Sequence, residues 1–307
     1  MELEGCSPAL RRELENLGFK EATPIQKLAW KPILQGENVL LVAPTGSGKT
    51  EAAVFPVLES LLRARGSGRE KPGVKILYIT PLRALNRDIF RRIRELGKRL
   101  GVRVEVRHGD TPSAARRLQA LKPPDMLITT PETLQAILPG KVMRRHLQAV
   151  RWVIVDEVHE VLPDKRGAQL ALALERLRLA SGEFQRIGLS ATLGNPEEAG
   201  CFLAGNRKFK VLQAEEDRSI MAKVESPSPS REDLEAAERF SLTPGMVARL
   251  RRLVEACKPY HSTLVFTNTR EHAEALASNL KRLYPEMAVE VLSLIHISEP
   301  TRPRLIS

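Results

Sequence analysis

Ala43 to Thr50, "APTGSGKT", follows an apolar run, "NVLLV" (Asn38 to Val42), and precedes a helix-like segment, "EAAVFPVLESLL". A buried strand, a glycine-rich turn and Lys-Thr at the start of a helix describe a cradle for phosphate. The pattern GxxxxGK[ST] is matched from Gly48 onward, with Ala43 in the place of the first glycine. Backbone N–H groups of Thr45, Gly46, Ser47 and Gly48 are expected to form a nest for phosphate oxygens. The helix opening at Lys49 adds its positive end. Lys49 is positioned to neutralise the β- and γ-phosphates, and Thr50 to offer a hydroxyl to Mg²⁺. The competing reading is a glycine turn that happens to end in Lys-Thr; strand before and helix after disfavour it.

Working outward, short apolar runs alternate with longer helical patterns. "NVLLVA", "VKILYIT", "VRVEVRHG", "DMLITT", "WVIVDE" and "RIGLSAT" read as strands. "LNRDIFRRIRELGKRL", "TPSAARRLQAL", "ETLQAIL" and "AQLALALERLRLA" read as helices between them. Such alternation predicts an α/β fold with a parallel sheet covered on both faces. The pattern closes near "KFKVLQA", and a first domain is placed at 1–212. A polar segment containing "SPSPS" opens a stretch, 213–245, that reads as linker and entry to a second domain. A helix, "MVARLRRLVEACK", then a strand, "STLVFTN", a helix, "REHAEALASNLKRL", and a strand start, "MAVEV", read as a partial second α/β domain over 246–291.

A phosphate cradle needs a metal partner, and "VIVDEVHE" supplies one. Asp156 falls at the carboxyl end of a buried strand, where ligands bind in open α/β sheets. It is expected to hold Mg²⁺ through water, with Glu157 polarising the attacking water. Alone, the pair reads equally well as a helix cap.

The 307 residues suffice for two domains at ~100–200 residues each. Net charge is +11, which favours a polyanionic partner. Aromatics are only 4%, so phosphate contact rather than base stacking is the expected grip. Cys6, Cys201 and Cys257 are widely spaced and odd in number, against a zinc ribbon or a disulfide framework. The start lacks the features of a signal peptide and no apolar run spans a membrane, so a cytoplasmic protein without a membrane partner is expected. The basic stretch from Arg83 to Arg107 reads mostly as a solvated helix face.

"TPIQ", "APTGSGKT", "TPLRAL", "TTPET", "DEVH", "SAT" and "LVFTNTR" occur in this order. The chain thereby resembles a superfamily 2 helicase with the DEVH form of the DEAD/DEAH signature. "YITPLRALNRD", "VRHGDTP", "ITTPETLQAIL" and "RGAQLALALERL" look most like the archaeal-type large helicase-related (Lhr) family, and the likeness covers roughly 10–291. The resemblance implies two RecA-like lobes, the second incomplete here, closing on ATP and Mg²⁺. It implies an ATP-dependent motor on nucleic acid, DNA favoured and RNA open, moving 3′ to 5′. A non-motor ATP-binding clamp is the rival from another class. Gln26 is then the adenine-reading amide. Phe19 is equally a base-packing ring or plain core. Arg83, Thr130 and Gly109, with His108 and Asp110 nearby, are expected on the nucleic-acid face, joined by Asn268 and Arg270 from the second lobe. Ser190 and Thr192 of "SAT" are expected to couple the ATP end to the strand, with His159 as relay rather than metal ligand.

The end of the chain departs from this pattern. "LSLIHISEPTR" (Leu292 to Arg302) resembles the in-frame translation of a transposon-end sequencing adapter. Residues 292–307 are therefore expected to be a non-native tail on a truncated frame, with the later second-lobe motifs missing and the fragment inactive in strand-stimulated turnover.

Overall fold

The computed structural model describes residues 5–66, 68, 71–81, 87–162, 165–191, 193–214 and 222–291. Arg83, Thr192 and the 292–307 tail lie outside them. The chain divides into two units, Met1–Asp217 and Arg218–Ser307.

The first unit runs α1 (Pro8–Asn16), α2 (Pro24–Leu34), β1 (Val39–Val42), α3 (Lys49–Gly66), β2 (Ile76–Ile79), α4 (Arg87–Arg99) and β3 (Val104–Arg107). It continues through α5 (Ser113–Leu121), β4 (Met126–Thr129), α6 (Pro131–Ile137), α7 (Lys141–Leu147), β5 (Trp152–Val155) and α8 (Val158–Val161). It closes with α9 (Lys165–Ser181), β6 (Gln185–Ser190), α10 (Pro196–Ala204) and β7 (Lys210–Gln213). The strands form one sheet in the order β3-β4-β2-β5-β6-β1-β7, and every pairing is parallel.

The strands are short apolar runs because both sheet faces are covered. Side chains alternate across the pleat. Leu41, Tyr78, Ile154 and Ile187 therefore enter one core with α1 to α4. Leu40, Leu77, Val153 and Val155 enter the other with α6 to α10. The sequence pattern did not mark α1, α2, α7 or α10. Three of these start at a proline, and α2 carries Pro32 inside. Local side-chain caps hold α1 and α10: Ser7 accepts from Leu10 N at 3.4 Å and Asn195 from Glu198 N at 3.2 Å.

The second unit holds α11 (Arg231–Phe240), α12 (Pro244–Cys257) and α13 (Arg270–Leu283) around a small core of Leu250, Val254 and Leu280. The stretch read as linker and domain entry contains α11, which forms because Ser230 and Asp233 cap it reciprocally and Arg251 pairs with the buried Asp233. One expectation is corrected here. "STLVFTN" and "MAVEV" are not strands. No described segment of this unit offers them a ladder partner, so Leu264 and Phe266 are 63% and 86% exposed. Among the described residues no helix is long and apolar enough to cross a membrane.

Arg186 of β6 is 2% exposed and reaches Glu175 of α9 at 2.8 Å. Arg207 meets the same carboxylate at 3.0 Å. Partial burial pushes the Glu175 carboxyl up, but the two guanidiniums outweigh it and hold it down at about 2. A depressed folded value means the carboxylate stabilises the fold above its ordinary range near ~4.3, and this contribution is lost as pH falls toward about 2. Glu175 is partly exposed, so Glu175→Gln is expected to cost only about 1 kcal/mol at pH 6. Urea midpoints of wild type and variant should converge between pH 4.5 and 2; a constant gap would show that the pair contributes through packing alone.

Candidate active site

Because all strands run parallel, their carboxyl ends share one edge. β1 delivers the Ala43–Lys49 loop there, β5 delivers Asp156, and β6 delivers Ser190. Asp156 N donates to Ile79 O at 2.8 Å and Ala43 N to Ser190 O at 3.3 Å, so these residues prolong the ladder and inherit its rigidity.

Gly46 and Gly48 have φ of +81° and +85°, the left-handed region open to glycine. A side chain on Gly48 has no room either: its Cβ would lie 2.5 Å from Gln26 Nε2. Lys49 Nζ donates to Ala43 O at 2.6 Å and Pro44 O at 2.9 Å, folding the ammonium back over the loop. The Ser47 hydroxyl is buried without a partner in the protein. Such an orphan fits a loop built around an oxyanion.

Gln26 is 4% exposed. Its Oε1 accepts from Thr23 N at 3.1 Å and its Nε2 donates to Gly48 O at 3.3 Å. The amide thus ties α2 to the loop and keeps one donor and one acceptor position for a planar ligand edge. Phe19 sits edge-on to Phe55, centroids 5.1 Å apart, and also lines the cavity. The two readings of Phe19 are compatible: one side is core, the other is wall.

At the opposite end Asp156 is 5% exposed. Burial pushes its carboxyl up to about 6; the Tyr78 hydrogen bond opposes this, and the neighbouring Glu157 charge adds to it. Tyr78 Oη donates to Asp156 Oδ2 at 2.5 Å, and Glu157 N to Oδ1 at 3.0 Å. Burial and then the Asp156 charge raise the Tyr78 hydroxyl well above its ordinary range, so it remains a donor. Glu157 itself has φ 50° and ψ 48°, a left-handed conformation that costs a non-glycine residue about 1–2 kcal/mol. His159 Nδ1 lies 3.1 Å from Ser190 Oγ, 3.4 Å from Ala191 N and 3.5 Å from Glu157 Oε2. The backbone N–H of Ala191 makes Nδ1 the acceptor and puts the ring proton on Nε2.

A cavity of about 340 Å³ joins the two ends, lined by Phe19, Gln26, the 45–50 loop, Arg92, Asp156 and Glu157. That volume is within the ~300–1,000 Å³ of small-molecule sites. Among the described residues no cluster of three His, Cys, Asp or Glu could hold a metal. The hard oxygens of Asp156 and Thr50 nevertheless suit Mg²⁺, which takes one or two protein ligands and completes its shell with phosphate and water.

The expected nucleic-acid residues are placed less evenly. Thr130 is 4% exposed, and its hydroxyl caps α6 by accepting from Thr133 N at 3.3 Å, so a direct phosphate contact by that side chain is disfavoured. Gly109 and Asp110 are exposed beyond β3, with His108 half-buried beside them. Asn268 and Arg270 are exposed in the second unit, and Arg270 pairs with Glu274 at 2.8 Å. Two side chains of the site went unmarked by sequence. Tyr78 sits mid-run in an apolar strand, and only the pleat register against Asp156 reveals it. Arg92 was counted with a solvated face, yet it pairs with Glu51 at 3.1 Å on the cavity wall.

A parallel sheet with a glycine loop and an acidic pair at its carboxyl edge defines the class of RecA-like phosphate-loop proteins. The chain belongs to the DEAD/DEAH box helicase family, whose model matches residues 23–199. It is 40% identical over 295 residues to an Lhr helicase of Mycolicibacterium smegmatis, covering 92% of this chain and 19% of that protein. It is 38% identical over 298 residues to the ATP-dependent helicase Lhr-Core protein 2 of Thermococcus barophilus, covering 91% of this chain and 34% of that one. The solved structure of Mycobacterium smegmatis helicase Lhr bound to ssDNA and AMP-PNP matches with a TM-score of 0.71 at 38% identity, over 92% of this chain and 36% of that chain. The chain therefore spans well under half the length of these relatives.

The strain at Glu157 is testable without any ligand. Glu157→Gly relieves both the left-handed backbone and the charge beside Asp156, and should raise unfolding stability by up to about 1 kcal/mol. A urea titration of the two proteins reads this directly. Lower stability in the variant would show that the Glu157 side chain holds the turn together.

Proposed function

We propose that this chain carries the nucleotide site of an ATP-dependent nucleic-acid helicase that works on DNA with Mg-ATP and moves 3′ to 5′. One observation carries the proposal. The glycine loop with Lys49 and Thr50, the Asp156–Glu157 pair and the Gln26 amide line one cavity at one sheet edge. A kinase cradle alone gives no reason for the Gln26 amide to lean on Gly48. The AMP-PNP and ssDNA of the similar Lhr structure support both ligands, and the polarity rests on the resemblance to the Lhr group.

Each residue has a distinct task. The 45–48 backbone receives phosphate oxygens, and Lys49 exchanges its loop carbonyls for phosphate charge. Gln26 offers its remaining donor and acceptor to the adenine edge, while Phe19 walls the base. Thr50 and Asp156 would hold Mg²⁺, which when bound offsets the charge that develops on the phosphates. Tyr78 keeps Asp156 aimed. Glu157, lifted from the strand by its left-handed turn, faces the cavity as acceptor for a water proton.

Lys49→Ala should weaken ATP binding by about tenfold or more, since the phosphates lose a charge-assisted hydrogen bond. Glu157→Gln should leave affinity within about twofold and lower turnover by about 10²–10⁴ in a form of the enzyme that hydrolyses ATP. Calorimetric binding and phosphate release separate the two. Normal hydrolysis by Glu157→Gln would remove the base assignment. Stimulation by single-stranded RNA but not DNA would replace the DNA preference with RNA.

A further inference from the structure

The cavity at the sheet edge has two ends with tasks and a stretch between them without one. Gln26 and Phe19 stand at the base end, and the 45–50 loop with the Asp156–Glu157 pair at the phosphate end. Between the base and the phosphates of any nucleotide lies a sugar. Two carboxylates of the cavity wall are left to meet it, Glu21 and Glu51. Glu21 is exposed, and among the described residues no hydrogen bond or ion pair fixes it. Glu51 differs. It directly follows Thr50 in the first turn of α3, and its side chain is only 15% exposed. Arg92 of α4 reaches across to it, Nη2 to Oε1 at 3.1 Å, and lines the same cavity.

A carboxylate beside a phosphate loop needs a reason. It repels the anionic ligand that the loop attracts, and a neutral side chain would avoid that cost. An acid in the first turn suits the helix dipole, but that account needs no partner on α4. Stability does not explain the pair either, because Arg92 is 55% exposed and an ion pair so open to water contributes little. What remains is the chemistry that a fixed carboxylate performs well. It accepts hydrogen bonds from hydroxyls, as the acidic residue on the ribose does in dinucleotide-binding sheets. The guanidinium, charged at every accessible pH, then offsets the acid toward the phosphates and holds it in one orientation.

We propose that Glu51 reads the sugar of the bound nucleotide, its carboxylate accepting from the ribose hydroxyls, with Arg92 as the positioning residue that aims it. The inference rests on the ATP-site reading above and adds the sugar to it. The site then selects a ribonucleoside triphosphate over its deoxy analogues. Neither Gln26 nor the glycine loop can supply that choice, because base and phosphates are the same in both. Glu51 and Arg92 thus receive a task that the phosphate cradle and the base contact leave open.

The test titrates the 307-residue chain calorimetrically with ATP, 2′-deoxy-ATP and 3′-deoxy-ATP in the presence of Mg²⁺. Wild type should bind at least one deoxy analogue about tenfold more weakly than ATP, the worth of one hydrogen bond to a charged acceptor. Glu51→Ala should bring the three affinities within about twofold of one another. Arg92→Ala should lose most of the preference, because the carboxylate loses its aim, and Arg92→Lys should recover part of it. Lys49→Ala serves as the contrast: it should weaken all three nucleotides by the same factor and leave their ratios unchanged. If Glu51→Ala and Arg92→Ala behave like Lys49→Ala, or only lower the melting temperature, the pair is structural and the inference fails. Tighter binding of all three nucleotides by Glu51→Ala, with the sugar preference intact, would reduce Glu51 to a repulsive charge and overturn it as well. ATP binding by wild type with no sugar preference would sink the sugar reader alone. Failure of wild type to bind ATP at all would sink the ATP-site reading and the sugar reader together.

Discussion

Covering a sheet on both faces constrains everything else in the first unit. Strands with apolar residues on both sides, such as Val39–Val42 and Trp152–Val155, must be sandwiched between helices. Each crossover then spends a helix, and successive strands run in the same direction. All seven strands therefore end at one edge, and so do the residues that follow them. Val42 leads into the glycine loop, Val155 into Asp156, Thr129 into Thr130, and Arg107 into the His108–Gly109 turn. The site is a consequence of strand direction before it is a consequence of any side chain.

That edge concentrates charges that the sheet interior could not tolerate. Asp156 is nearly buried yet carries a carboxyl beside Glu157, and its value rises to about 6 in consequence. Two donors, the Tyr78 hydroxyl and the Glu157 backbone N–H, make the position tolerable without neutralising it. The Lys49 ammonium donates to two carbonyls of its own loop, and its charge opposes the rise at Asp156. An acidic pair and an ammonium thus share one cavity wall. Local instability of this kind is common where proteins bind and react.

Most of the first unit was legible in the sequence because parallel strands announce themselves. The six apolar runs marked as strands all became strands, since burial on both faces leaves no polar alternation to confuse them. The glycine loop was legible because few other turns need glycine at 46 and 48 followed by Lys-Thr. Helices α1, α2 and α10 were obscure because prolines and local caps define them more than periodicity does, and α7 because its seven residues span only about two turns. "STLVFTN" misled because β-branched and aromatic content measures fitness for a sheet, not the presence of one. Among the described residues nothing accepts its N–H groups, and that run forms no strand. Tyr78 and Arg92 share a different obscurity. Each depends on which residue lies across a strand or on an adjoining helix, and a single sequence carries no such pairing.

The order β5-β6-β1 sets the acidic pair and the glycine loop on either side of one strand. β6 lies between the strand that ends at Asp156 and the strand that feeds the glycine loop. Ser190, at its end, is wholly buried and touches both sides: its carbonyl accepts from Ala43 N, and its hydroxyl meets His159. His159 in turn lies 3.5 Å from Glu157. The left-handed turn at Glu157 is what brings His159 back toward β6, one residue into α8. A relaxation of that turn toward ordinary backbone would have to move the imidazole, and the imidazole cannot move without releasing Ser190 Oγ and the Ala191 N–H. Strain at Glu157 and satisfaction at Ser190 are therefore two ends of one arrangement. One ring nitrogen of His159 thus stands at 3.1–3.5 Å from Ser190 Oγ, Ala191 N and Glu157 Oε2, so the acidic pair and the loop after β6 are packed on the same imidazole.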